Sequence, residues 1–308
     1  MDELRGFWAA GWAYGSGQAR RRLLVGKPAA RRAWLAGLCL GLLALAAPAS
    51  PPNVVLILAD DLGWADLGSM GSSHHETPEL DRFAVEGVRF TAFYTFPATA
   101  TSQAAVFTGQ GPTRHGLYAD GTLSPGREED RRLIPPENAA ALPPELRTLA
   151  ELFRDAGYAT GFFGAWALGT DDGQLPSQRG FDTAIVAGGR HFNYRTIPPL
   201  RVAKGYYLAD FLTDQAMGFV EAHAMRPFFL CVSHLAVHEP YEAKPALYAK
   251  YQRRFSDTPH RSAVYAAMVE SVDQNVGRLL AHLGHFNLRT NTLVVFASDN
   301  GGRGGYRS

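Results

Sequence analysis

Two pairs of side chains that could bind a metal ion stand directly after two apolar segments. Asp60 and Asp61 follow the segment NVVLILA, and Asp299 and Asn300 follow the segment TLVVFAS. If these segments are neighbouring parallel strands, three carboxylates and one amide oxygen meet at the sheet edge where open α/β sheets bind their ligands. Two unit charges about 4 Å apart repel each other by roughly 4 kcal/mol at an effective dielectric constant of about 20, so the cluster requires a cation. An all-oxygen ligand set predicts Ca²⁺ or Mg²⁺.

Each pair also has a simpler interpretation, because Asp and Asn cap turns well at strand ends. The occurrence of two such pairs after two similar segments favours the metal site. A third apolar run, FFLCVSH, is followed shortly by His238, and Pro240 just beyond it predicts a loop.

The elements that must position these residues alternate between strands and helices. The predicted strands are Asn53–Ala59, Gly87–Tyr94, Tyr158–Phe163, Phe228–Ser233 and Thr292–Ser298. The predicted helices are Pro78–Glu86 behind the N-cap Thr77, Leu149–Ala156, Leu208–His223 and Ser262–Leu283. The first and last strands are continuously apolar, which predicts that both of their faces are covered. The fold class is therefore α/β, a mostly parallel sheet flanked by helices. The charged, proline-rich stretch from Asp120 to Pro144 is expected to be a long surface loop.

Composition excludes several other classes of protein. The chain has 308 residues with 46% hydrophobic and 19% charged residues and 2 Cys, which excludes disorder, a coiled coil and a disulfide scaffold. The first 32 residues hold seven of the 30 basic residues and two of the 29 acidic residues. The rest of the chain is therefore mildly acidic and lacks the excess of basic residues that is typical of nucleic-acid-binding proteins.

The start of the chain has the pattern of an export signal. Residues 33–49 carry no charge, follow a basic stretch and end in the small residues of Ala-Pro-Ala. We predict a basic leader and signal peptide over residues 1–49, cleaved after Ala49, and a domain over residues 50–308 that is periplasmic or secreted. A membrane anchor formed by uncleaved residues 33–49 is the alternative. Cleavage would leave Cys231 without a disulfide partner.

Residues 52–302 resemble the N-terminal domain of the sulfatase family, within the alkaline phosphatase superfamily. The segments that carry the resemblance, in the order of the family, are PPNVVLILADDLGWADLGSMG, TPELDRFAVEGVRFTAFYT, FTGQGPTRHGL, GYATGFFGAWALG, FFLCVSHLAVHEPY and VVFASDNGG. The resemblance implies a sulfatase-like fold, and it implies that His238 contacts the ester. It also implies the metal ligands Asp60, Asp61, Asp299 and Asn300. A small C-terminal subdomain of the family is expected to be missing from this chain, which would make residues 50–308 a truncated catalytic-type domain.

The reactive residues that the resemblance implies are replaced here. The family motif C-x-P-x-R, whose Cys or Ser becomes the formylglycine nucleophile, falls on Thr99 to Gln103. Thr cannot be converted to formylglycine, and Gln lacks the fixed positive charge of Arg. The Lys and His of the family motif G-K-W-H-L-G correspond to Ala165 and Ala167. We therefore expect no formylglycine, and we predict a metal-binding domain with impaired turnover.

Two other functions remain open at this point. Relatives in the superfamily use a metal-activated Thr or Ser on phosphate esters, and Thr99 at a helix start has the corresponding place. Those relatives use two metal ions and several histidines, for which candidates are few here. The third possibility is a non-catalytic protein that binds sulfated glycans or another partner. Any ligand is expected to be a small-molecule or glycan sulfate ester, with no nucleic acid, and with membrane contact only through an uncleaved signal segment.

Overall fold

A computed structural model describes residues 51–302, apart from residues 122, 124–125 and 258–261. The predicted leader, signal peptide and alternative anchor lie outside the described residues. Within the described residues, no helix combines the length and the apolar character that crossing a membrane requires.

One six-stranded sheet forms the centre of the fold. Its strands are β1 Asn53–Ala59, β2 Ala159–Gly164, β3 Thr183–Gly188, β4 Arg195–Ile197, β5 Phe228–His234 and β6 Thr292–Ser298. The strands lie in the order β4-β3-β2-β5-β1-β6, and every pair is parallel except β3 with β4. The α-helices are α1 Pro78–Glu86, α2 Thr99–Thr108, α3 Pro112–His115, α4 Leu149–Asp155, α5 Leu208–Ala222, α6 Pro245–Arg254 and α7 Ala263–His285. The predicted α/β class with a mostly parallel sheet is confirmed.

Both faces of β1 are covered, as its continuous hydrophobicity predicts. Val55 and Ile57 belong to the core formed with α5 and α7, whereas Leu56 and Leu58 belong to the core formed with α2 and α4. Side chains of a strand point alternately to opposite faces, so a strand between two helical layers must be apolar at every position.

The same expectation is wrong for β6, which is the edge strand of the sheet. Leu293 is 58% exposed and Val295 is 40% exposed, while Val294 and Phe296 between them pack against the core. An edge strand has a neighbour on one side only, and among the described residues no helix covers the face that carries Leu293 and Val295.

The predicted strand Gly87–Tyr94 is also wrong. It pairs with no strand among the described residues, and Val88 is 84% and Tyr94 is 89% exposed. Its aromatic and β-branched residues have high strand propensity, but propensity forms no strand without a partner edge. The prediction missed β3 and β4, which are short, and it missed α6.

Helix α1 begins where predicted, but a distant residue supplies its cap. The side chain of Thr77 makes no capping hydrogen bond. The carboxylate of Asp273, on α7, accepts the N–H groups of Glu79 at 3.3 Å and Leu80 at 2.7 Å. The start of α1 is thus held by a tertiary contact to α7.

Candidate active site

The two acidic strand ends lie side by side at the carboxyl edge of the sheet. Strands β1 and β6 pair in parallel, with Ala59 opposite Ser298. The N–H of Asp299 donates to the carbonyl of Ala59 at 3.1 Å, which extends this pairing by one residue. The prediction that these two strands are neighbours is confirmed, and the register delivers Asp60 and Asp299 to the same place.

Asn300 connects the cluster through both ends of its side-chain amide. Its Oδ1 accepts the backbone N–H of Asp61 at 2.9 Å, and its Nδ2 donates to Asp61 Oδ1 at 2.8 Å. The same Nδ2 lies 3.3 Å from Thr99 Oγ1, and Thr99 Oγ1 donates to Asp60 Oδ1 at 3.1 Å. Thr99 at the predicted nucleophile position is therefore in direct contact with two of the predicted metal ligands.

The charged forms of the carboxylates in this cluster are disfavoured by burial and by their mutual repulsion. Burial raises the pKa of Asp60 to about 6, and the charge of Asp61 adds to the shift. Burial likewise raises the pKa of Asp299 to about 8, with further contributions from Asp60 and Asp61. Asp299 Oδ1 is buried and has no hydrogen-bond partner among the described residues. Buried carboxylates without partners are costly, so this cluster suits a cation.

The oxygen atoms of this cluster are the kind of ligand that a hard divalent ion binds, but the side chain of Asn300 must first change its orientation. Oxygen ligands from Asp60, Asp61 and Asp299 are what Ca²⁺ or Mg²⁺ requires. Asn300, however, turns its nitrogen toward the carboxylates, so its amide must rotate by half a turn to offer oxygen instead. Within the part of the chain that the structure describes, no three His, Cys, Asp or Glu side chains form a ready-made metal cage. Mutual repulsion of the carboxylates accounts for the open arrangement.

His238 stands at the edge of the cluster, and His234 contacts the cluster through its backbone carbonyl, which accepts the N–H of Asp60 at 3.1 Å. His238 Nε2 is 3.8 Å from Asp61 Oδ2, its side chain is 27% exposed, and its Nδ1 contacts the carbonyl of Glu239. His234 ends β5 fully buried, and burial lowers its pKa to about 4, so it is neutral at pH 7. His238 can therefore face a ligand of the cluster from solvent, whereas His234 is part of the core.

Helix α2 brings Thr99 to the cluster, and Asp120 caps this helix. Thr99 is the first residue of α2, and Ala98 before it has no side-chain acceptor. Asp120 supplies the acceptor instead, with Oδ2 at 3.0 Å from Thr99 N and Oδ1 at 2.8 Å from Ala100 N. Sequence reasoning missed Asp120 because it assigned this residue to the long surface loop. The alanine at the N-cap position was the available signal, since such a helix needs an acceptor from elsewhere.

Gln103, where the resemblance implies an arginine, is buried and links α2 to β5 and to the segment that follows β2. It is 0% exposed. Its Nε2 donates to the carbonyl of Ala165 at 3.1 Å and to Ser233 Oγ at 3.3 Å, and its Oε1 accepts the N–H of Ala167 at 3.0 Å. Both amide hydrogens have partners, so Gln103 has no donor left for an ester. Ala165 and Ala167, where the resemblance implies Lys and His, contact Gln103 through their backbone.

The turn that carries Asp61 is braced from α7. Asp66 Oδ2 accepts the N–H of Gly63 at 2.8 Å and the hydroxyl of Tyr265. Asp61 itself has a positive φ of 56°, a conformation that Asp adopts more readily than most residues. Asp66 and Tyr265 thus hold the turn in which Asp61 presents its carboxylate.

Positive charge is scarce around this site. Among the described residues, neither lysine nor arginine forms an ion pair with Asp60, Asp120 or Asp299. The charged groups that act most strongly on Asp60 and Asp299 are other carboxylates and His238. An anionic ester would meet a strongly negative pocket unless a cation is bound there.

Comparison with known proteins identifies a family. The Sulfatase family model matches residues 52–307. The chain is 34% identical over 287 residues to the N-acetylgalactosamine-6-sulfatase of Canis lupus familiaris, covering 85% of this chain and 52% of that protein. It is 32% identical over 283 residues to the arylsulfatase of Hemicentrotus pulcherrimus, covering 83% and 48%. The chain spans about half the length of these curated relatives. The solved structure of Ps i-CgsB in complex with k-i-k-neocarrahexaose is similar, with a TM-score of 0.70 and 29% identity over 82% of this chain and 59% of that chain.

Proposed function

Because this chain belongs to the sulfatase family, we propose that it is a sulfatase-fold domain that binds a divalent cation and has impaired ester hydrolysis. One observation carries the proposal. The four positions where the resemblance implies reactive side chains hold Thr99, Gln103, Ala165 and Ala167, and the amide of Gln103 is fully used inside the protein. Nothing at these positions supplies positive charge to a sulfate group.

The cation that we propose is Ca²⁺ or Mg²⁺. The carboxylates of Asp60, Asp61 and Asp299 would hold it, with the oxygen of Asn300 after its amide has turned. When bound, such an ion would offset most of the negative charge of the carboxylates and would supply a positive centre that can polarise an ester oxygen. Asp299 Oδ1, buried without a partner among the described residues, supports this assignment.

The loss of charged side chains is large enough to suppress catalysis. Removing one donor that stabilises a transition-state oxyanion costs about 2.7–4 kcal/mol, or about 100- to 1,000-fold in rate. Three such side chains are replaced by Gln103, Ala165 and Ala167. Losses within one catalytic unit do not add, but even one of them combined with the missing formylglycine leaves little turnover.

The contact between Thr99 and Asp60 supports a second candidate, a metal-dependent phosphate-ester hydrolase. The hydroxyl of Thr99 donates to Asp60 Oδ1 at 3.1 Å, so the carboxylate could accept its proton while the oxygen attacks phosphorus and the P–O bond to the alcohol of the ester breaks. The alcohol would leave with a proton from water, and the phosphorylated Thr99 would then be hydrolysed by water. The same shortage of positive charge counts against this activity. Binding of a sulfated glycan without turnover has no supporting contact in the site.

The first test is cation binding together with hydrolysis. Calorimetry on the full chain should show saturable binding of Ca²⁺ or Mg²⁺ that is lost in Asp299→Ala. With the cation present, we expect no hydrolysis of 4-nitrophenyl sulfate above that of a Thr99→Ala variant. Sulfate turnover that disappears in Thr99→Ala would contradict impaired hydrolysis, and turnover of a phosphodiester alone would favour the second candidate.

We also propose that the protein is exported through its first 49 residues, and that residues 50–308 form a single sulfatase-like domain. Any ester ligand would be a small-molecule or glycan sulfate. Fractionation of cells that express the full chain, followed by N-terminal sequencing of the mature protein, tests cleavage after Ala49. Retention of the intact chain in the membrane fraction would favour the anchor at residues 33–49.

A further inference from the structure

The start of α2 is the place in this site where backbone N–H groups could meet a tetrahedral anion. The first four N–H groups of a helix have no partner within it, and together with the helix dipole they favour negative charge. The first hydrogen bond within α2 runs from Ser102 N to Ala98 O, at 3.0 Å. The N–H groups of Thr99 and Ala100 are therefore available to an acceptor from outside the helix.

Asp120 already occupies that acceptor position. Its two oxygens take Thr99 N and Ala100 N separately, at 3.0 and 2.8 Å. We propose that Asp120 is a specificity-determining residue that keeps tetrahedral dianions such as sulfate and phosphate out of this site, by filling their place with an internal carboxylate. This inference deepens the proposed function and rests on it, because it concerns the same site.

Asp120 is exposed to solvent, but the backbone around it is firmly held. Asn138 Oδ1 accepts the N–H groups of Tyr118 at 2.7 Å and Ala119 at 3.2 Å. Asn138 Nδ2 donates to the carbonyls of Ala119 at 3.1 Å and Gly121 at 2.6 Å. These four hydrogen bonds fix the loop on both sides of Asp120 and aim its carboxylate at α2.

The charge of Asp120 also acts on the proposed metal ligands. It contributes to the raised pKa values of both Asp60 and Asp299. The hydroxyl of Thr99 and the N–H of Thr99 thus contact two different carboxylates, Asp60 and Asp120. A dianion placed beside Thr99 would lose the helix N–H groups as donors and would face these two charges. The same arrangement is favourable for a cation.

Removal of the Asp120 charge should open the site to anions. We expect no saturable binding of inorganic phosphate or sulfate to the parent chain at millimolar concentrations, with or without CaCl₂. Asp120→Asn and Asp120→Gly should bind these ions at least about 10-fold more tightly, the effect of one freed hydrogen bond to a charged group. Asp120→Glu, which keeps the charge, should bind no better than the parent.

Asp273→Asn is the matched control. Asp273 caps α1 through two N–H groups, as Asp120 caps α2, but it lies outside the candidate site. Whatever its effect on stability, Asp273→Asn should bind phosphate no better than the parent chain does. A gain in both variants would mean that loosened helix starts bind phosphate in general, and it would overturn the specific role of Asp120.

Two further experimental results would refute the proposal. If Asp120→Asn and Asp120→Gly unfold cooperatively yet bind phosphate no better than the parent, Asp120 does not exclude anions. Should both variants fail to fold, amide hydrogen exchange of the parent decides, because Thr99 and Ala100 must be protected and unaffected by phosphate. Rapid exchange, or protection that rises with phosphate, refutes the inference. Calcium binding is measured separately, so its absence would count against the proposed function alone.

Discussion

Replacement of Gln103 by alanine tests whether this residue is a structural bridge. The substitution removes three hydrogen bonds, each worth about 1 kcal/mol net, and it leaves the N–H of Ala167 and the carbonyl of Ala165 without their partner. Truncation of a fully buried side chain also leaves a cavity. We expect the free energy of unfolding to fall by about 3–4 kcal/mol, which corresponds to a melting temperature lower by about 6–16 °C for a domain of this size.

Urea unfolding followed by circular dichroism at constant pH measures this loss. Gln252→Ala is the matched control, because Gln252 is an exposed residue of α6 and its loss should change stability by about 0.5 kcal/mol at most. Gln103→Glu should be destabilised as well, since a carboxylate cannot donate to Ala165 or Ser233. A loss below about 1 kcal/mol in Gln103→Ala would refute the view that this amide joins α2, β5 and the segment that follows β2.

Three further predictions concern charge and exposed surface. Asp299→Asn should raise the melting temperature of the cation-free chain, and CaCl₂ should not raise the melting temperature of this variant further. Differential scanning fluorimetry measures both effects. If CaCl₂ still raises the melting temperature of the variant, Asp299 is not a ligand. Burial raises the pKa of Asp273 from 3.8 to about 6, so its contribution to stability is complete below pH about 4 and is lost as the pH rises through about 6. The stability of Asp273→Asn should therefore fall less than that of the parent between these pH values in urea titrations, and parallel curves would contradict this. Leu293→Lys should reduce self-association measured as concentration-dependent light scattering, because Leu293 and Val295 expose the apolar face of an edge strand. Unchanged scattering would show that this face does not cause self-association.

The main strands were predictable because their physical cause is local to the sequence. A continuous run of apolar, β-branched residues is typical of a strand in a mostly parallel sheet, which made Asn53–Ala59 and Thr292–Ser298 recognisable. The prediction failed at Gly87–Tyr94, which has the propensity of a strand but no partner edge among the described residues. The exposure of Leu293 was missed for a related reason, since a continuous apolar run does not reveal whether a helix covers each face.

The sequence predicted which residues form the candidate site better than it predicted which of them contact each other. The acids and the amide at the ends of β1 and β6 follow from sequence order and parallel pairing. The resemblance to sulfatases implied the roles considered for Thr99, Gln103, Ala165 and Ala167. It did not reveal that Gln103 bridges three segments, or that Asp120 caps the helix of Thr99, because both depend on residues far apart in the chain.

The amino-acid sequence by itself determined the α/β alternation and the two strand-end pairs, and it has Thr99, Gln103, Ala165 and Ala167 at the positions where the resemblance implies reactive side chains. These properties are carried by residue type and short-range order, so they need no coordinates. Tertiary structure alone decided that the nitrogen of Asn300 faces the carboxylates, that Asp273 caps α1, and that Asp120 holds the start of α2. Each of these contacts joins elements whose approach is set by packing of the whole sheet and its helices, and packing is a property of the assembled fold.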